Sequence, residues 1–212
     1  MPFFLHKAIL PLRALYPHFL WKKDTDELVL YLSFDDGPIP EVTEWVLDQL
    51  AQFDAKATFF CIGENIRKHP DIFQKIQFGG HSVGNHTFNH LNGWQTDKAT
   101  YVDNIERCQA ELPPTRLFRP PYGRITRRQA RIVLQSHQIV MWDVLSGDFS
   151  LELTPEIVLQ KTIEHAEPGS IVLFHDSLKA RRNMQYALPR VLAHFAAQNY
   201  RFAALPMSEH SG

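Results

Sequence analysis

Two cysteines in 212 residues are too few for a disulfide framework. Cys61 closes an apolar run and Cys108 sits in a helical pattern, so both read as small buried hydrophobes. A surplus of one charge is also missing: 22 Lys and Arg stand against 23 Asp and Glu, scattered along the chain. That balance excludes the electrostatic footprint of a nucleic-acid or anionic-membrane binder and leaves a neutral or weakly charged ligand. Residues 1–20 are apolar but broken by Lys7, Pro11 and Arg13, short of the ~20 consecutive apolar residues that a transmembrane helix needs. The same stretch carries no small-residue cleavage site, so no secretory leader is expected, and the protein is expected in the cytoplasm. No Ser/Gly-rich linker, repeat or low-complexity segment divides the chain, and a hydrophobic content of 44% suffices for one sizeable core. The expectation is one domain over residues 28–212, preceded by an apolar arm or short helix over residues 1–27.

What is present is a regular alternation of short apolar runs and amphipathic stretches. Strands are expected over residues 29–34, 57–61, 82–85, 116–118, 139–142, 170–174 and 201–204. Helices are expected over residues 41–53, 70–78, 98–111, 126–137, 155–166 and 184–198, several of them opened by Pro or Thr. Strand then helix, repeated, builds a parallel sheet. About seven strands with about six intervening helices fit an α/β barrel, closed or nearly so, with a doubly wound open sheet as the other arrangement.

Five stretches carry candidate chemistry. In the first, Ser33-Phe34-Asp35-Asp36-Gly37-Pro38, two adjacent carboxylates fall at the C-terminal end of a strand, where α/β enzymes build their sites. Repulsion between them calls for a cation or a proton-transfer duty; the plain alternative is a polar turn. The second runs from Gly80 to His90. His86 and His90 are four apart, so on a helical turn both imidazoles would face one metal ion and, with a carboxylate from the first stretch, leave coordination positions open. His81 reads as support for the loop, and the Asn85-His86-Thr87 glycosylation pattern as coincidence. In the third, Arg119-Pro120-Pro121-Tyr122-Gly123, the prolines can hold a guanidinium and a following N–H in a set direction. The fourth offers two acids just beyond a strand, Asp143 and Asp148, followed by Phe149. The fifth, Leu173-Phe174-His175-Asp176, ends a continuous apolar run in an imidazole that an acid partner would hold protonated. Taken singly, each has a bland reading as turn, surface charge, loop cap or core histidine.

Together and in this order, the five motifs resemble the polysaccharide deacetylases of the NodB-homology type, carbohydrate esterase family 4, over about residues 28–204. The resemblance implies a distorted (β/α) barrel and one divalent ion, zinc in the first place, with cobalt, manganese or nickel as alternatives. It implies hydrolysis of N-acetyl groups, or in some members O-acetyl groups, on an acetylated saccharide. By position, Asp36, His86 and His90 would hold the metal and Asp35 would be the general base, oriented by Arg119. The Tyr122 N–H would complete an oxyanion site, and His175, tuned by Asp148, would be the general acid. Leu173 would border the acetyl pocket and Phe149 a groove wall. Two positions depart from the pattern: Phe149 replaces the usual Trp and Ser33 the commoner Thr.

Two other functions compete. A non-haem iron oxygenase uses the same two-histidine, one-carboxylate set, but on a jelly-roll scaffold and without need of Asp35, Arg119 or His175. A saccharide-binding protein that has lost catalysis would keep the barrel; retention of both Asp35 and His175 weighs against it. The sugar, the linkage and the oligomeric state are open.

Overall fold

The computed structural model describes residues 6–208. Its centre is β1 (Val29–Asp35), a β-branched and aromatic run buried on both faces, as strands of a parallel sheet are. The other strands are β2 (Thr58–Cys61), β3 (Ser82–Asn85), β4 (Leu117–Phe118), β5 (Gln138–Ile139), β6 (Val144–Leu145), β7 (Ile171–His175) and β8 (Arg201–Phe202). Every pairing is parallel, in the order β5-β4-β3-β2-β1-β7-β6, with β8 added beside the start of β1. The sheet curls into a half-barrel, the NodB-like (β/α) arrangement expected from the sequence, in a single domain.

The helices are α1 (Leu10–Leu15), α2 (Val42–Ala51), α3 (Gly63–Lys68), α4 (Pro70–Phe78), α5 (Lys98–Gln109), α6 (Arg127–Val133), α7 (Pro155–His165) and α8 (Arg181–Ala196). Local chemistry starts several of them: Asp97 accepts from the Ala99 and Thr100 N–H groups, Thr126 and Gln129 form a capping box, and Thr154 caps ahead of Pro155. The apolar faces of α2 and α8 close over Phe34, whose ring stacks between Phe59 and Phe174 at centroid distances of 5.1 and 6.1 Å. Among the described residues, no helix is long and apolar enough to cross a membrane.

Two expectations change. The strand expected over residues 139–142 is cut short: β5 ends at Ile139, and the next four residues carry the chain to β6 at the opposite edge of the sheet. An apolar run looks the same whether it continues one strand or joins two, and pairing partners far along the chain decide. The short helix α3 falls between two expected elements, being too brief to show a periodicity.

The seam between β5 and β6 is covered by the N-terminal segment. Leu20 accepts from Met141 and donates to Ile139, while Ala8 donates to Asp143 and Leu145 donates to His6, all at 2.7–2.8 Å. A single buried carboxylate fastens this segment: Asp143 takes Lys7 at 2.8 Å, Arg13, and the Ser170 hydroxyl at 2.5 Å.

Phe34→Ala is expected to lower unfolding free energy by about 3–5 kcal/mol, because the cavity opens between two rings held by strands that cannot collapse inward. Urea denaturation followed by circular dichroism measures it.

Candidate active site

All five motifs arrive at one rim. In a parallel sheet the C-terminal strand ends lie together, and here Asp35 ends β1, Asn85 ends β3 just ahead of His86, Phe118 ends β4 just ahead of Arg119, and His175 ends β7. Pairing sets Asp35 directly beside His175 and Asn85 beside Phe118. The residues that step off the strands bend sharply: Asp36, Thr87, His90 and Tyr122 have φ of 88°, 62°, 55° and 60°. Such backbone is unfavourable for residues with a Cβ and gathers where side chains must be aimed.

Asp36, His86 and His90 come together, each with one ligand atom within 4.8 Å of the others. The Asp36 Oδ1 to His90 Nε2 distance is 3.3 Å and that to His86 Nε2 is 3.9 Å, near what one divalent ion with bonds of ~2.0–2.2 Å spans. The route is not the helical turn expected from the i, i+4 spacing. Residues 86–90 form an irregular loop, and the left-handed Thr87 and His90 turn the two rings to a centroid distance of 5.0 Å. His86 Nδ1 lies 2.7 Å from the Arg119 carbonyl, which can only accept, so Nδ1 carries the proton and Nε2 keeps its lone pair for a ligand. Burial pushes the His86 pKa well below its usual value, and burial also lowers that of His90. Neutral imidazoles are the form that binds a metal, so the donor set fits one divalent cation.

Asp35 lies behind these groups, its Oδ2 3.8 Å from His86 Nε2. Its other oxygen accepts from Arg119 Nη1 at 2.7 Å. Arg119 is wholly buried and makes four hydrogen bonds: Nη1 also donates to Ser33 Oγ at 2.9 Å, Nη2 to the Met141 carbonyl at 2.8 Å, and Nε to the Val140 carbonyl at 3.2 Å. Its guanidinium stands 4.0 Å over the Phe60 ring. Burial lowers the guanidinium's pKa, and the charge and hydrogen bond of Asp35 oppose that.

On the other flank, Asp148 grips His175 twice, accepting from its backbone N–H at 2.7 Å and from Nδ1 at 2.8 Å. Burial alone would lower the imidazole's pKa; the Asp148 charge and hydrogen bond, with Asp36 and Asp35 beyond, raise it to about 9. Phe149 sits edge-on to the His175 ring at 4.9 Å. Leu173, Phe149, Trp142 and Tyr122 wall a cleft of about 460 Å³ that also holds Asp35, Asp36, His86, His90 and His175.

The two acids offered by the fourth stretch part ways. Asp148 reaches the site, whereas Asp143 faces the N-terminal segment. His81 stays outside: its Nδ1 accepts from the Ala57 N–H at 3.1 Å, and burial lowers its pKa to about 4. Asn85 is buried with its amide donating to the Ile105 carbonyl, so no glycan can be carried there.

Several residues given no role by the sequence reading support the site. Asp176, pushed up to about 8 by burial against the pull of its hydrogen bonds, bridges the Thr43 hydroxyl at 2.6 Å and the Gly37 N–H at 3.0 Å. It pins the turn that carries Asp36, and a Cβ at Gly37 would stand 1.9 Å from its Oδ2. Asn65 holds the Asp36 carbonyl at 2.8 Å, and Asn183 holds those of Asp148 and Ser150 at 3.0 Å. Lone amides on helices give no local sign of such duties.

The family model for polysaccharide deacetylase matches residues 22–141. A peptidoglycan N-acetylglucosamine deacetylase of Bacillus cereus is 32% identical over 182 residues, 82% of this chain and 66% of the relative. The chitooligosaccharide deacetylase of Azorhizobium caulinodans is 34% identical over 154 residues, 69% of this chain and 73% of the relative. A crystal structure of a peptidoglycan N-acetylglucosamine deacetylase, in complex with 4-naphthalen-1-yl-N-oxidanyl-benzamide, superposes with a TM-score of 0.86 at 29% identity, covering 94% of this chain and 95% of that one. With the family model covering more than half of its length, the chain belongs to the polysaccharide deacetylase family of hydrolases.

Proposed function

We propose that the protein is a metal-dependent deacetylase that removes N-acetyl groups from a saccharide, with Asp35 as general base and His175 as general acid. The observation that carries this reading is the placing of two proton-transfer groups at neighbouring strand ends: a carboxylate paired with a buried arginine at 2.7 Å, and an imidazole whose pKa a buried aspartate raises to about 9. The names of the relatives, which act on acetylated amino sugars, support it.

Asp36, His86 and His90 would hold the divalent ion, zinc, cobalt, manganese or nickel, which when bound supplies a Lewis acid that polarises the acyl carbonyl and acidifies water. Asp35 takes the proton from the attacking water; Arg119, bonded to its Oδ1, keeps the carboxylate aimed. The Tyr122 backbone N–H donates to the developing oxyanion. An amine anion cannot leave, so His175 gives its proton to the sugar nitrogen as the carbon–nitrogen bond breaks, and Asp148 stabilises the imidazolium until then. Leu173 receives the acetyl methyl, and Phe149 and Trp142 flank the sugar. An oxygenase would have no use for the Asp35–Arg119 and Asp148–His175 pairs.

Asp35→Asn and His175→Ala are each expected to lower kcat for acetate release from chitooligosaccharides by ~10²–10⁴-fold with KM little changed, since each acts on the proton in flight. Turnover near that of the parent would remove the role given to that residue.

Because His175 acts protonated, activity should fall as pH rises through about 9. Asp148→Asn removes the main upward push and leaves burial in control, so this alkaline limb moves to lower pH while the acid limb stays. The same pair stabilises the fold below the ordinary imidazole range, and that contribution fades as pH climbs through about 9. A kcat–pH profile of parent and variant decides.

Chelation should abolish acetate release, and zinc or cobalt should restore it. His86→Ala should bind less than one equivalent of zinc after dialysis, read by elemental analysis, where the parent keeps one; equal zinc contents would show that this triad is not the metal site.

A further inference from the structure

We infer that the saccharide carries a hydrocarbon chain, and that this chain lies in an apolar groove leading from the catalytic cleft to the N-terminal segment. The inference deepens the deacetylase reading and rests on it for the sugar end of the ligand. The groove, of about 420 Å³, shares Tyr122, Trp142, Leu145 and Phe149 with the catalytic cleft, so the two meet along one rim. A saccharide whose acetamide sits between Asp35 and His175 lies against the rim that opens into the groove.

The lining decides what fills it. Beyond the shared rim stand Leu15, Phe19 and Trp21 from the N-terminal segment, facing Trp94, Ile125 and Met141. Among the described residues no carboxylate and no carboxamide lines the groove. Of the three indoles in the lining, two direct their N–H at backbone, Trp21 Nε1 at the Tyr16 carbonyl and Trp94 Nε1 at the Ile125 carbonyl, each at 3.3 Å. The single cation, Arg124, lies over the Trp94 ring at 5.1 Å. A sugar ring there would bury hydroxyls with few partners, whereas methylenes need none. Leu15 and Trp94 remain 52% and 63% exposed, apolar surface that a chain would cover.

Trp21, Trp94 and Trp142 make the test direct, because indole fluorescence reports the groove whether or not acetate is released. The full-length protein, loaded with zinc, is titrated with octyl and methyl β-glycosides of di-N-acetylchitobiose below the micelle concentration. The octyl glycoside is expected to bind at least about tenfold tighter, as burial of a few methylenes gives. Leu15→Asp, and independently Trp94→Ser on the facing wall, should shrink that ratio to about twofold, each ratio being taken within one variant. Equal binding of the two glycosides by the parent overturns the inference. So does a preference for octyl that survives both substitutions, or one that emerges only after residues 1–5 are removed, which would make that segment the occupant. Acetate release with no octyl preference leaves the deacetylase reading standing and this one fallen; an octyl preference lost in both variants, without acetate release, does the reverse.

Discussion

The buried pair of Arg119 and Asp35 is the constraint on which the site depends. A guanidinium wholly removed from water is costly unless every donor is used and a counter-charge is at hand. Here the fork is divided among Asp35, Ser33 and the carbonyls of Val140 and Met141, so the arrangement is over-determined: moving any one partner strands a buried donor. The consequence is a carboxylate oxygen fixed in place at the floor of the cleft. Ser33 is part of this: its hydroxyl accepts from Arg119 while donating to the Val172 carbonyl, a duty that either hydroxyl side chain could perform.

That constraint ties the catalytic rim to the far side of the barrel. Val140 and Met141 lie in the segment that crosses the seam between β5 and β6, and this segment is held in place by backbone hydrogen bonds to Leu20 and Ala8 and by the Asp143 cluster with Lys7 and Arg13. The N-terminal segment thus closes the edge that an incomplete barrel leaves open and steadies the carbonyls that orient the arginine. The same segment supplies the apolar wall beyond the cleft.

Opposite protonation on the two flanks follows from unequal surroundings. Asp148 gives His175 two hydrogen bonds and a buried negative charge, so the imidazole holds its proton despite burial. His86 is buried and His90 half-buried, neither with so close a carboxylate, and desolvation lowers the pKa of both. Three histidines in one cleft are sorted into one acid and two neutral donors by where the carboxylates stand.

The alternation of apolar runs with amphipathic stretches, and the charged residues at the ends of those runs, were legible in the sequence because strand and helix periodicity and the chain-reversing residues are local. Asp35, Asp36, His86, His90, Arg119 and His175 announce themselves as polar groups following apolar runs, and a parallel sheet brings such positions to one rim whatever the details. Other matters depended on partners far along the chain: which of Asp143 and Asp148 faces the histidine, where one apolar run divides into β5 and β6, and how Thr43, Asn65 and Asn183 brace the loops. The approach of His86 to His90 also belongs here, since it comes from left-handed backbone held by surrounding contacts rather than from helical spacing. Local pattern therefore determined the element types and the reactive groups. Only the packed structure decided their pairing, because burial and hydrogen bonding between distant residues set which carboxylate keeps its charge and which imidazole keeps its proton.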